Sequence, residues 1–113
     1  MFHSDWEDVR QVKLFVNCSA VERENGPLTA VTADASRRVK DEVGYRYGGA
    51  HFRLADAEVV PRLSDEELVP FTGPPGTMTF IDTSTCLHFG SRLAGSCPGA
   101  ARIEGKEEFA SWC

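Results

Sequence analysis

The amino-acid sequence predicts a mainly antiparallel β-sandwich or barrel with one or two short helices. Three observations predict it: short runs of alternating or β-branched residues, turn signals between them, and little helical periodicity. With 113 residues the chain makes one domain, because a second core would leave each too little apolar surface.

Residues 12–19, VKLFVNCS, set Leu14, Val16 and Cys18 against Lys13, Asn17 and Ser19. Only Phe15 interrupts the polar side, so a strand buried on its Leu14 face is expected. Residues 22–27, ERENGP, supply turn chemistry: Gly26 tolerates a positive φ and Pro27 fixes the exit. Residues 28–32 form the returning strand. Asp34 is placed to cap a helix through Val43, ended by Gly44 in the left-handed position. Residues 45–56 are ambiguous, with Gly48 and Gly49 favouring a loop. Ser64-Asp-Glu-Glu67 has capping-box spacing and opens one helical turn. Gly73-Pro-Pro-Gly76 is a hard turn before residues 77–85, TMTFIDTST, a strand rich in β-branched and aromatic side chains. Residues 86–90, CLHFG, are expected beside it. Residues 102–109 make a weaker terminal strand, with Glu104, Lys106 and Glu108 on one face.

A formal net charge of -5 argues against nucleic acid as a partner, because counterion release needs clustered cations. The densest basic stretch, Arg37-Arg38-Val39-Lys40, runs directly into Asp41 and Glu42 and is expected to be a solvated helix face. The first ten residues carry charges where a signal peptide needs an apolar run, and no apolar stretch is long enough for a bilayer. The expectation is therefore a soluble, cytoplasmic protein with no membrane partner. None of the four cysteines forms a C-x-x-C pair, so free thiols are expected, with Cys18 and Cys86 inside strands. A Cys97–Cys113 bridge is the alternative.

The residues with the most chemistry are His3 and Asp5 at one end and His88 far downstream. In an extended segment, positions i and i+2 point the same way, so His3 and Asp5 can reach one ion. A neighbouring strand can bring His88 from the side. Two imidazoles and one carboxylate hold one face of an Fe(II) ion and leave the opposite face open. The lack of a cysteine pair disfavours structural zinc, although a zinc site on Cys86 and His88 remains an alternative.

Two longer blocks place these residues in a wider pattern. Residues 3–28, HSDWEDVRQVKLFVNCSAVERENGPL, combine H-x-D, a strand and an E-N-G-P turn. Residues 73–92, GPPGTMTFIDTSTCLHFGSR, combine a Gly/Pro turn, an apolar strand ending in Asp-Thr-Ser, and Cys-x-His-x-Gly-Ser. In order and spacing, from His3 to about Phe109, the chain resembles the phytanoyl-CoA dioxygenase family of Fe(II)/2-oxoglutarate-dependent oxygenases.

The resemblance implies a double-stranded β-helix core of the jelly-roll or cupin type, lacking the family's N-terminal region. It implies Fe(II) held by His3, Asp5 and His88, with 2-oxoglutarate as cosubstrate and ascorbate as reductant. Arg102 would pair with the far carboxylate of 2-oxoglutarate, and Ser91 would add a hydroxyl. The offset from His88 to Arg102 is longer than the family's, residues 94–100 being the apparent insertion, so Arg92 competes for the role. The implied reaction hydroxylates, or otherwise oxidises, a small organic substrate with release of succinate and CO2. A non-catalytic cupin-like binding module, or an inactive piece of a longer oxygenase, is the other reading. Sheet edges left open without the N-terminal strands predict a homodimer. Asp82 is either an acceptor orienting a ligand imidazole or a turn-forming residue. Trp6 is expected over the H-x-D loop or capping the core, His51 in a loop, and Thr83, Ser84 and Thr85 lining the mouth or, more simply, solvated at a strand end.

Overall fold

A strand turns successive side chains to opposite faces, so short strands can present an apolar core on one side and polar chemistry on the other. The computed structural model describes residues 1–5, 10–46 and 52–90. Its elements in chain order are β1 (Phe2–His3), β2 (Val12–Val16), β3 (Thr29–Val31), α1 (Ala33–Val43), β4 (Arg53–Leu54), α2 (Asp56–Val59), β5 (Leu68–Pro70), β6 (Met78–Asp82) and β7 (His88–Phe89). Short 3-10 turns cover Arg23–Asn25, Val60–Arg62 and Asp65–Glu67. The described residues are mainly β. Five strands form one sheet in the order β4-β1-β7-β3-β5, and β2 and β6 form a second, with every pairing antiparallel.

In the first sheet the period of two separates core from chemistry. Phe2, Val31, Leu54 and Leu87 turn to one side, where they meet Ala35 and Val39 of α1 and Val59 of α2. His3, Arg53 and His88, each next in sequence to a core residue, belong to the opposite side. Ser36 couples helix to sheet: its hydroxyl donates to the Val31 carbonyl at 3.1 Å and accepts from the Leu87 amide at 3.0 Å. This contact fixes the approach of β7 one residue before His88.

The helix ends where Gly44 predicts, with φ of 67°. Its start differs: Thr32 stands at the N-cap, and Asp34 lies in the first turn, where its charge suits the helix dipole and pairs with Arg37 at 2.6 Å. The basic stretch is solvated only in part. Val39 is fully buried, and Lys40 donates to the Ser84 and Thr85 carbonyls at 3.2 and 2.8 Å.

The second sheet corrects the expected orientation of residues 12–19. Val12, Leu14, Val16 and Cys18 are exposed, and Lys13, Phe15 and Asn17 are the more covered side. Alternation identifies two faces but not which one is inward; here the ion pair of Lys13 with Asp5 shows the choice. Leu14 lies opposite Phe80 and Val16 opposite Met78, so β6 extends the same exposed apolar surface. Cys18 follows β2 rather than lying inside a strand, and Cys86 sits in the turn after β6. Residues 86–90 do not neighbour β6 either. The turn from Asp82 to Cys86, closed by a 2.9 Å hydrogen bond, sends β7 to the first sheet between β1 and β3. No helix among the described residues is long and apolar enough to cross a membrane.

Candidate metal centre

His3 and His88 lie directly opposite each other on β1 and β7, where antiparallel pairing puts both side chains on one face. Their ring centroids are 4.4 Å apart with planes tilted by 52°. Asp5 follows two residues after His3, and its amide donates to the Thr83 carbonyl at 2.8 Å. That bond ties the H-x-D segment to the end of β6. Asp5 Oδ1 lies 3.9 Å from Nε2 of His3 and 3.9 Å from Nε2 of His88. The residue between His3 and Asp5 points the other way: Ser4 is buried, and its hydroxyl donates to the Tyr45 hydroxyl at 3.2 Å. Tyr45 in turn donates to the Phe52 carbonyl at 2.9 Å.

Charge states at the site suit a cation. Burial, and then the neighbouring His88, lower the His3 pKa to about 4, so its imidazole is neutral at pH 7. For Asp5, burial opposes ionisation, but hydrogen bonds from Lys13 and Thr83 and the charges of His88 and Lys13 outweigh it. The carboxyl is held below its ordinary range. His88 Nδ1 lies 3.0 Å from the Cys86 carbonyl. A carbonyl only accepts, so Nδ1 donates to it and Nε2 is the nitrogen turned toward the site.

Donor atoms of His3, Asp5 and His88 all lie within 4.8 Å of one another. Neighbouring ligands at bond lengths of about 2.0–2.2 Å stand roughly 3 Å apart, so closures of about 1–2 Å join the three on one ion. Two imidazoles and one carboxylate are the donor set that suits a non-haem iron, and these residues fit it.

Cys86 is outside this group. Burial raises its thiol pKa, and His88 meets its carbonyl rather than its sulfur, which argues against zinc on Cys86 and His88. Arg102, Ser91 and Arg92, the expected 2-oxoglutarate contacts, lie outside the described residues, as do Trp6, His51, Cys97 and Cys113.

Asp82 is the turn-forming residue of its two expected roles. It accepts hydrogen bonds from the amides and hydroxyls of both Ser84 and Thr85. Thr83 and Ser84 are buried, not solvated. The Ser84 hydroxyl first, with the Thr85 hydroxyl and both amides, lowers the Asp82 carboxyl to about 2, against desolvation. Such a group stabilises the fold above its ordinary pKa of 3.8, and the contribution is lost as pH falls through about 2. Asp82→Ala is expected to destabilise the chain at neutral pH, with the gap to wild type closing over that acid range. Urea unfolding along a pH series measures it; a gap that does not change with pH contradicts the assignment.

Three site features have no clear signal in the sequence. Lys13 contacts Asp5, the Cys86 carbonyl orients His88, and Tyr45 anchors Ser4 across 41 residues. Comparison with family models, curated proteins and solved structures found no match.

Proposed function

We propose that this chain carries the iron-binding core of a non-haem Fe(II)/2-oxoglutarate-dependent oxygenase of the phytanoyl-CoA dioxygenase family. The observation that carries the reading is the convergence of His3, Asp5 and His88, with one carboxylate oxygen equidistant from both Nε2 atoms. The chain's route supports a jelly-roll core: β1 lies in the first sheet, β2 in the second, β3, β4 and β5 in the first, β6 in the second and β7 in the first. Passage of the chain back and forth between two antiparallel sheets is a feature that a double-stranded β-helix shares.

Bound Fe(II) supplies the redox chemistry, coupling decarboxylation of 2-oxoglutarate by O2, to succinate and CO2, with hydroxylation of a substrate C–H bond. The chain's own work is positional. The β1–β7 register sets the two imidazoles, the Cys86 carbonyl holds the His88 tautomer, and Thr83 anchors the Asp5 backbone. Ala30, directly opposite His88 on β3, adds little bulk beside that ring.

The test is succinate formation from 2-oxoglutarate by purified protein with Fe(II) and ascorbate, against an iron-only control. Succinate above that control is expected even without a substrate, as uncoupled turnover. Metal-dependent stabilisation with no succinate would instead favour a non-catalytic cupin-like module.

A further inference from the structure

The two oxygens of Asp5 face different partners. Oδ1 is turned to the imidazoles, 3.9 Å from each Nε2, while Oδ2 lies 2.6 Å from Lys13 Nζ. Lys13 belongs to the second sheet, and its place on β2 is set by the ladder, opposite Ile81 of β6. The Asp5 side chain is 15% exposed, so its bond with the ammonium is a partly desolvated, charge-assisted one, of the stronger class.

We infer that Lys13 is a positioning residue that makes Asp5 a one-oxygen ligand and so keeps open a coordination position that a two-oxygen carboxylate would fill. This rests on the iron-centre reading above. Carboxylates bind cations through one oxygen or both, and the choice depends on what else holds the second oxygen. Here an ammonium on a separate strand holds it. The orientation matters for a centre whose cosubstrate chelates through two oxygens and which must also admit O2: every open position is used. A neutral side chain at position 13 removes the charged partner of Oδ2, leaving Thr83 as the remaining hydrogen-bond partner of the carboxylate, and lets Oδ2 turn onto the ion.

Mn(II)-loaded protein tests this without turnover. Water-proton relaxation reports waters bound directly to the ion, and an oxalate titration reports room for a two-oxygen chelator. In Lys13→Met, one fewer bound water is expected, with oxalate affinity reduced on the order of tenfold. Lys13→Arg keeps a cation on Oδ2 and is expected to retain the wild-type hydration and oxalate affinity. Wild-type values in Lys13→Met would overturn the inference, as would loss of the bound water in Lys13→Arg, a variant that removes no charge. Failure of the wild-type protein to bind Mn(II) would instead strike the metal centre itself.

Discussion

His88→Ala is expected to abolish Fe(II) retention, and with it any conversion of 2-oxoglutarate to succinate, while leaving the fold largely intact. His88 is the most deeply buried of the three candidate ligands, and it faces the site through Nε2 while Nδ1 meets the Cys86 carbonyl. Truncation leaves Asp5 and His3 as a two-residue site. Affinity should fall more than about 100-fold, beyond the range typical of losing an outer hydrogen-bonding partner. The structural cost is smaller, about 1–3 kcal/mol, mainly from the unpaired carbonyl. Anaerobic Fe(II) titration and thermal unfolding separate the two effects. Retained Fe(II) in a folded His88→Ala protein would contradict the assignment.

The largest effect on stability is expected from Phe2→Ala. Phe2 is 1% exposed, lies opposite Leu54 in register, and meets Phe89 edge-to-face with centroids 4.7 Å apart. Removing a buried aromatic ring costs roughly 3–5 kcal/mol, against a total of about 5–15 kcal/mol for a domain. A fall in Tm of roughly 15–30 °C follows at the sensitivity usual for this size. Because Phe2 precedes His3 on a two-residue strand, metal affinity should fall as well. Leu14→Ser is the control: Leu14 is just as apolar but 48% exposed, so a change within about 0.5 kcal/mol is expected. Equal losses in both variants would show that the exposed face of β2 is packed in solution.

The end of the helix of residues 33–43 was legible because Gly44 marks it, whereas its start was not, Thr32 and not Asp34 standing at the N-cap. The approach of His3 and Asp5 was legible because H-x-D encodes the strand period, so the two share a side once the segment is extended. Orientation was not legible. In residues 12–19 the alternation marks two faces, but the inward one is decided by a contact between Lys13 and a carboxylate eight residues earlier. Strand order was hidden too, because the 82–86 turn carries His88 away from β6 and beside His3. For Asp82, the two expected roles differ only in which donors surround the carboxylate, which depends on tertiary structure. Orientation of the His88 ring falls to a backbone carbonyl, a group present at every position and therefore without a sequence signature.

X-ray absorption at the iron edge of anaerobically Fe(II)-loaded protein tests the centre most directly. A centre of His3, Asp5 and His88 gives a first shell of nitrogen and oxygen only, with the outer-shell scattering of two imidazoles, one of them lost in His3→Ala and one in His88→Ala. A sulfur scatterer at about 2.3 Å, or no imidazole signal, would contradict it.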